Sequence, residues 1–440
     1  MEAMLRRLDL TTLPDEHELR ALLPRPAVDV DRALPAAQEL IADVRERGAE
    51  ALAAQAERFD GVRPAELRVP AAALQEALAA LDPAVRAALE TAIERVRIGS
   101  AAQVPPPTAV EPAPGAAVEL RWQPVDRVGL YVPGGKAVYP SSVVMNVVAA
   151  QAAGVRSIAV ASPAQAEHDG LPHPTILAAC ALLGVDEVYA MGGAGAVGAF
   201  AHGVPGIGLA PVDVVTGPGN VFVAAAKRAV AGSVRVDSEA GPTEILVIAD
   251  GTADAELIAA DLVSQAEHDE LASAVLVTDD AALADRVDEA VARRAAATAA
   301  SARVGASLAG EQSAIVLVAD LAAAARVSDA YAPEHLEIMT ADDDAVLARI
   351  RHAGAIFLGA HTPVSLGDYA AGSNHVLPTG GQARRVAGLG AATFLRPQQV
   401  VRYDRAALAA VRADVVALAA AEGLPAHGEA IEARFEAGEA

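Results

Sequence analysis

Residues 264–269, Ser-Gln-Ala-Glu-His-Asp, follow an apolar stretch at 255–263 whose spacing predicts a helix. On that helix Gln265 and His268 stand at i and i+3, so an amide and an imidazole project from neighbouring points of one face. Both are able to bind a metal or a substrate, although a polar helix end facing water would look the same. Residues 332–337, Ala-Pro-Glu-His-Leu-Glu, place the Glu334 carboxylate beside the His335 imidazole. A base titrating near neutrality, next to a group that positions water, is what alcohol or aldehyde oxidation needs; a surface Glu-His pair is the plain alternative. The glycine-punctuated segment 367–379 adds Asp368 and His375, and 422–427 puts Glu422 and His427 into an Ala- and Leu-rich background. Their coincidence favours one shared site over independent accidents.

Three glycine-rich segments suit a nucleotide. Residues 131–136, Tyr-Val-Pro-Gly-Gly-Lys, end an expected strand with flexible residues and a cation, although Tyr131 reads equally as strand core. Residues 216–220, Thr-Gly-Pro-Gly-Asn, lie between a strand end and a helix start, where backbone N–H groups suit a phosphate or ribose; an ordinary tight turn reads equally well. Residues 193–198 match G-x-G-x-x-G after a strand. In a chain with 35 glycines that spacing arises easily, and the strand before it is not the first of its unit.

The elements that must position these groups are those of an α/β protein. Ala-rich amphipathic patterns at 30–59 and 71–102 predict two helices, and five prolines within 105–114 predict an extended linker near a domain boundary. From about residue 126, strands at 128–132, 157–161, 187–191 and 212–216 alternate with helices at 141–153 and 175–183. The alternation resumes with strands at 244–249, 274–278, 313–318 and 355–358, and it predicts two α/β units built on parallel sheets. Residues 403–440 read as helix with one interruption at 422–427. The 440 residues, 53% of them hydrophobic, allow large cores, and a net charge of −23 argues against nucleic acid or an anionic membrane as partner. Residues 1–10 carry alternating charges without the apolar stretch of a signal peptide, and no span is apolar enough to cross a bilayer, so a soluble cytoplasmic protein is expected. The single cysteine, Cys180, excludes an intramolecular disulfide and a thiolate zinc cluster and reads as a buried small hydrophobe, so any metal must use N and O ligands.

Taken together, the segments 217–220, 240–244, 264–268, 333–337, 367–379 and 422–427 resemble the histidinol dehydrogenase family, and the match runs through most of the chain. The resemblance implies a zinc ion held by Gln265, His268, Asp368 and His427, with one zinc per subunit. It also implies substrate contacts from Thr243, Gln265, His268, His335, Asp368, Glu422 and His427, where Thr243 stands at a position that serine also occupies. The implied activity is a two-step, NAD-linked oxidation of L-histidinol through L-histidinaldehyde to L-histidine. His335 would accept the alcohol proton, Glu334 would activate water for attack on the aldehyde, and Tyr131 and Asn220 would contact NAD. One departure stands out: Gly195 replaces the glutamine that contacts NAD in the family, and it creates the G-x-G-x-x-G pattern by coincidence.

The implied fold is two related, incomplete Rossmann-like domains with parallel sheets and helical terminal segments. Residues 1–28 would form an N-terminal arm, 29–129 with 243–388 a first α/β domain, 130–242 the NAD-side domain, and 389–440 a helical segment exchanged across a homodimer. Glu422 and His427 would then complete the partner's site. Without the resemblance, the same ligands would also suit a metal-dependent hydrolase with Glu334 or Glu267 as base, or a non-catalytic metal-binding protein, and a related dehydrogenase acting on another alcohol remains open.

Overall fold

The run Glu-Ile-Leu-Val-Ile-Ala at 244–249 is buried along its whole length, as a strand covered on both faces must be. In the computed structural model, which describes residues 4–26, 29–134, 138–239 and 241–436, it lies inside a six-stranded parallel sheet. The spatial order is Arg6–Leu10 (β1), Ala314–Val318 (β11), Ser273–Thr278 (β10), Glu244–Ala249 (β9), His335–Met339 (β12) and Ala355–Leu358 (β13). Strand alternation sends Ile245, Val247, Met339 and Phe357 to one face, under helices Ala255–Ala266 and Ala281–Ala297. Leu246, Ile248, Leu336 and Ile338 meet helix Leu321–Tyr331 on the other.

A second parallel sheet has the order Val188–Ala190 (β6), Ser157–Ser162 (β5), Arg127–Tyr131 (β4), Val214–Thr216 (β7) and Arg235–Val236 (β8). Both sheets belong to one compact unit, residues 1–103 and 125–394; residues 104–124 and 395–440 form another. That second unit holds the antiparallel strands Thr108–Ala113 (β2), Ala116–Pro124 (β3) and Leu395–Tyr403 (β14), with helices Arg405–Ala421 and Pro425–Glu436. The two parallel sheets agree with the expected α/β class. No described helix is long and apolar enough to cross a membrane.

Several local expectations change. The helix expected over 30–59 breaks at Gly48, which takes φ 59° between Val30–Arg47 and Ala49–Phe59. The one over 71–102 breaks before Pro83, where the Asp82 side chain caps a new helix, Pro83–Ala102. The expected linker 105–114 contains β2, Thr108–Ala113, rather than only extended chain. Residues 30–59, expected to share a core with 243–388, instead pack on helices Gly193–His202 and Val221–Val230, and their apolar side chains Ile41, Val44 and Leu52 join the core of the five-stranded sheet. Helices Ala71–Ala80 and Pro83–Ala102 likewise pack on Pro174–Leu182 and Pro140–Ala153. The arm expected at 1–28 supplies the edge strand β1, and the C-terminal segment opens with a strand before its two helices.

Candidate active site

Strand β9 starts at Glu244, and the peptide groups of that residue orient the acid–base pair. Its N–H donates to Glu334 Oε2 at 2.8 Å, and its carbonyl lies 2.9 Å from His335 Nδ1. The parallel register brings this about, since His335 at the start of β12 stands opposite Ile245. A carbonyl only accepts, so Nδ1 carries the proton and Nε2 keeps the lone pair. Glu334 Oε2 lies 3.6 Å from His335 Nδ1.

Thr243 ties this pair to the helix that carries Gln265. Its hydroxyl donates to Glu334 Oε2 at 2.6 Å and accepts from Gln265 Nε2 at 2.6 Å. The Gln265 side-chain oxygen, Oε1, is left for another partner, while its main-chain oxygen faces His268. Helix Ala255–Ala266 ends one residue before its C-cap, Glu267, so His268 lies just past the helix rather than on its face. Its N–H reaches the Gln265 carbonyl at 3.3 Å, and its Nδ1 lies 3.2 Å from the same oxygen, which leaves Nε2 free. Asp368, in the short helix Val364–Tyr369, is close enough that its charge acts on Glu334, His335 and His375.

Burial sets the protonation of the pair. Glu334 is 7% exposed, and burial pushes its carboxyl up to about 8 against the opposing bonds from Thr243 and the Glu244 N–H. His335, 5% exposed, is pushed down by burial, which keeps the imidazole neutral as a base requires. The Glu244 side chain meets Arg25 Nη1 at 2.7 Å and Gly380 N–H at 3.2 Å, while the Arg25 guanidinium lies 3.9 Å over the Tyr331 ring.

Hydrogen bonds join Thr243, Gln265 and Glu334, His335 lies beside Glu334, and His268 and Asp368 are close enough for their charges to act on Glu334. His375 joins them: its Nδ1 lies 2.9 Å from the Asp368 carbonyl and its Nε2 3.2 Å from Ser142 Oγ. The contributions of Ser142, Arg25 and the Glu244 main chain carry no sequence signal, because they depend on backbone geometry and on packing between distant segments. Glu422 and His427 lie in the second unit, and both are exposed there. Among the described residues no three His, Cys, Asp or Glu side chains form a metal-holding group. The Gln265 side-chain oxygen, His268 Nε2 and the Asp368 carboxylate are N and O donors of the kind that zinc takes, and a fourth would be needed to complete a site. Glu267 is exposed, and Asp269 Oδ1 accepts from the Leu271 N–H at 3.0 Å.

On the five-stranded sheet, Tyr131 is buried and its hydroxyl accepts the Gly193 N–H at 3.3 Å, with burial pushing the phenol up to about 12. The turn before helix Val221–Val230 is held rigidly: Gly217 donates to Asp237 at 2.9 Å and accepts from the buried Lys227, which pairs with Asp237 at 2.6 Å. Asn220 caps the helix by accepting from Phe222 and Val223 N–H at 3.0 and 3.2 Å. This turn lies beyond the C-terminal ends of β4 and β7, where open α/β sheets bind ligands. The G-x-G-x-x-G residues, by contrast, lie within helix Gly193–His202, where Gly198 approaches Ile41 and Gly195 approaches Gln55. They serve helix packing rather than a phosphate turn. Cys180 is fully buried, as expected. Gly135, Lys136 and Ala240 lie outside the described residues.

The fold and site define an α/β enzyme with a buried acid–base pair beside an N and O donor set. The chain matches the histidinol dehydrogenase family profile over residues 23–435. It is 64% identical to the histidinol dehydrogenase of Leifsonia xyli subsp. xyli, over 96% of this chain and 97% of that protein. To that of Thermobifida fusca it is 60% identical, over 99% and 98%. The crystal structure of histidinol dehydrogenase from Elizabethkingia anophelis superposes with a TM-score of 0.92 at 29% identity, covering 99% of each chain. The chain belongs to the histidinol dehydrogenase family of NAD-dependent oxidoreductases.

Proposed function

We propose that this protein oxidises L-histidinol through L-histidinaldehyde to L-histidine in the cytoplasm, and the observation that supports this most is the opposed placement of His335 and Glu334 around the Glu244 peptide. His335 Nε2, with its proton fixed on Nδ1, takes the proton of the substrate hydroxyl in the first oxidation. Glu334 holds and deprotonates the water that adds to the aldehyde, and its position near a neutral titration suits it to that proton transfer. Gln265, His268 and Asp368, with His427, would hold zinc, whose chemistry is to bind and orient the amino and imidazole nitrogens of the substrate. Tyr131 and Asn220 would contact NAD, which would supply the hydride acceptor for both oxidations. Thr243 orients Glu334 and Gln265, and Glu422 contacts substrate. Burial of the pair keeps bulk water from the aldehyde between steps.

The second unit exposes Val110, Val401, Leu418 and Leu424 and has few fully buried side chains of its own, which supports its exchange across a homodimer. His427 and Glu422 then serve the partner's site. Incubation with L-histidinol and NAD tests the reading: NADH and histidine should form, their formation should be lost on chelation, and absence of histidinol-dependent NADH would refute it.

A further inference from the structure

Behind the site lies a second pair of carboxyl groups that the proposed reaction does not use. Glu337 follows His335 by two residues, so both point to the same face of β12. Asp261 precedes Gln265 by four, so both lie on one face of helix Ala255–Ala266. The helix is tied to the catalytic end through the Thr243 hydroxyl, which bridges Gln265 and Glu334, and it meets β12 again where Asp261 approaches Glu337. Glu337 is 0% exposed and Asp261 7%. In the strand pairing Glu337 stands between Val247 and Phe357. Neither of its oxygens has a hydrogen-bond donor among the described residues, and the group it faces is the Asp261 carboxyl.

Two carboxylates only accept, so they bond to each other only when one carries a proton. The positive charge that acts on Asp261 is Arg294 of helix Ala281–Ala297, which is 41% exposed and held by Glu256 at 3.0 Å. The charged group that acts on Glu337 is Asp261 itself. We infer that Asp261 and Glu337 share one proton and act as positioning residues, pinning the helix of Gln265 and His268 to the strand that carries His335. Burial drives both carboxyls upward, and at Glu337 the Asp261 charge adds to it.

The sign of the pH dependence follows. A carboxyl raised in the folded state is protonated in the fold after it has ionised in the unfolded chain, so its contribution to stability falls as pH rises above the ordinary carboxyl range. Glu337→Gln supplies a neutral donor to Asp261 and removes that loss. Its melting temperature should therefore gain on the wild type steadily from about pH 5 to about pH 9. Asp261→Asn should act similarly by donating to Glu337. Glu337→Leu keeps an apolar fill but leaves Asp261 without its partner, and should raise KM for L-histidinol about tenfold or more with a smaller change in kcat, whereas Glu337→Gln should recover the wild-type KM. The assay rests on the proposed substrate; the melting series does not, and wild-type turnover of L-histidinol separates the two failures. A Glu337→Gln melting temperature that runs parallel to the wild type across that range, or a Gln variant that raises KM as the Leu variant does, overturns the inference.

Discussion

The Glu244 carbonyl lies 2.9 Å from His335 Nδ1, and that single contact decides which imidazole nitrogen can act as a base. The N–H of the same residue, 2.8 Å from Glu334, sets the carboxylate that works beside it. One residue at a strand start therefore fixes both members of the acid–base pair through its main chain, where a side-chain substitution leaves the polar groups in place.

With Nε2 as the base, His335→Asn removes proton acceptance while the amide keeps a polar group in the pocket. We expect kcat to fall about 10² to 10⁴-fold with KM changed only a few-fold. Steady-state kinetics with L-histidinol check this; a His335→Asn enzyme with near wild-type kcat would contradict the assignment.

Glu334 should separate the two oxidations. Glu334→Gln is expected to keep alcohol oxidation and lose conversion of supplied L-histidinaldehyde by about 10²-fold or more. Because burial raises this carboxyl to about 8, its basic form grows as pH rises through that value. Aldehyde oxidation by the wild type should therefore climb toward mildly alkaline pH, and the climb should vanish in Glu334→Gln.

Thr243 accepts from Gln265 and donates to Glu334, both at 2.6 Å. Thr243→Ala leaves a buried amide and carboxylate each short of a partner, a cost of about 1–3 kcal/mol. We expect an approximately tenfold rise in KM, a lower melting temperature, and recovery of both in Thr243→Ser.

Gly195 has no room for a side chain while Gln55 occupies its neighbourhood and donates to the Leu40 carbonyl at 3.1 Å. Gly195→Gln should displace that amide, lowering stability by about 1 kcal/mol, and tighten NAD binding. An unchanged NAD affinity by titration would show that position 195 has no part in holding the dinucleotide.

Exchange of the second unit predicts complementation. Enzymes carrying His335→Asn or His427→Asn should be inactive alone. Their mixed dimers should regain activity, about a quarter of wild type after random reassociation, because one site in each hybrid is intact. Ligation of His427 within its own subunit would give none. Removal of residues 403–440 should abolish both zinc retention and activity, as read by metal analysis and assay.

Strand β9 was legible from its buried apolar run, and β13 from a similar short one. The edge strand β1, Arg-Arg-Leu-Asp-Leu, was not, since one buried residue among exposed charges gives no period to read. Strand β12 was hidden for a different reason: His335 and Glu337 interrupt an apolar strand with the polar groups that make the site, so local propensity and function conflict there. Residue types drew attention to Gln265, His268, Glu334, His335 and Asp368, whereas Thr243 came only from the family resemblance. The Glu244 peptide could not be read in advance, because its role comes from strand register rather than from its side chain. Which sheet the helices within 30–59 cover could not be read, since an amphipathic face states that it must be buried and not against which partner.

The most direct measurement is the stoichiometry of purified protein acting on L-histidinol and NAD, following NADH and histidine together before and after chelation. Two NADH should form for each histidine, with activity lost on chelation and restored by zinc. Absence of histidinol-dependent NADH from the metal-loaded protein would contradict it.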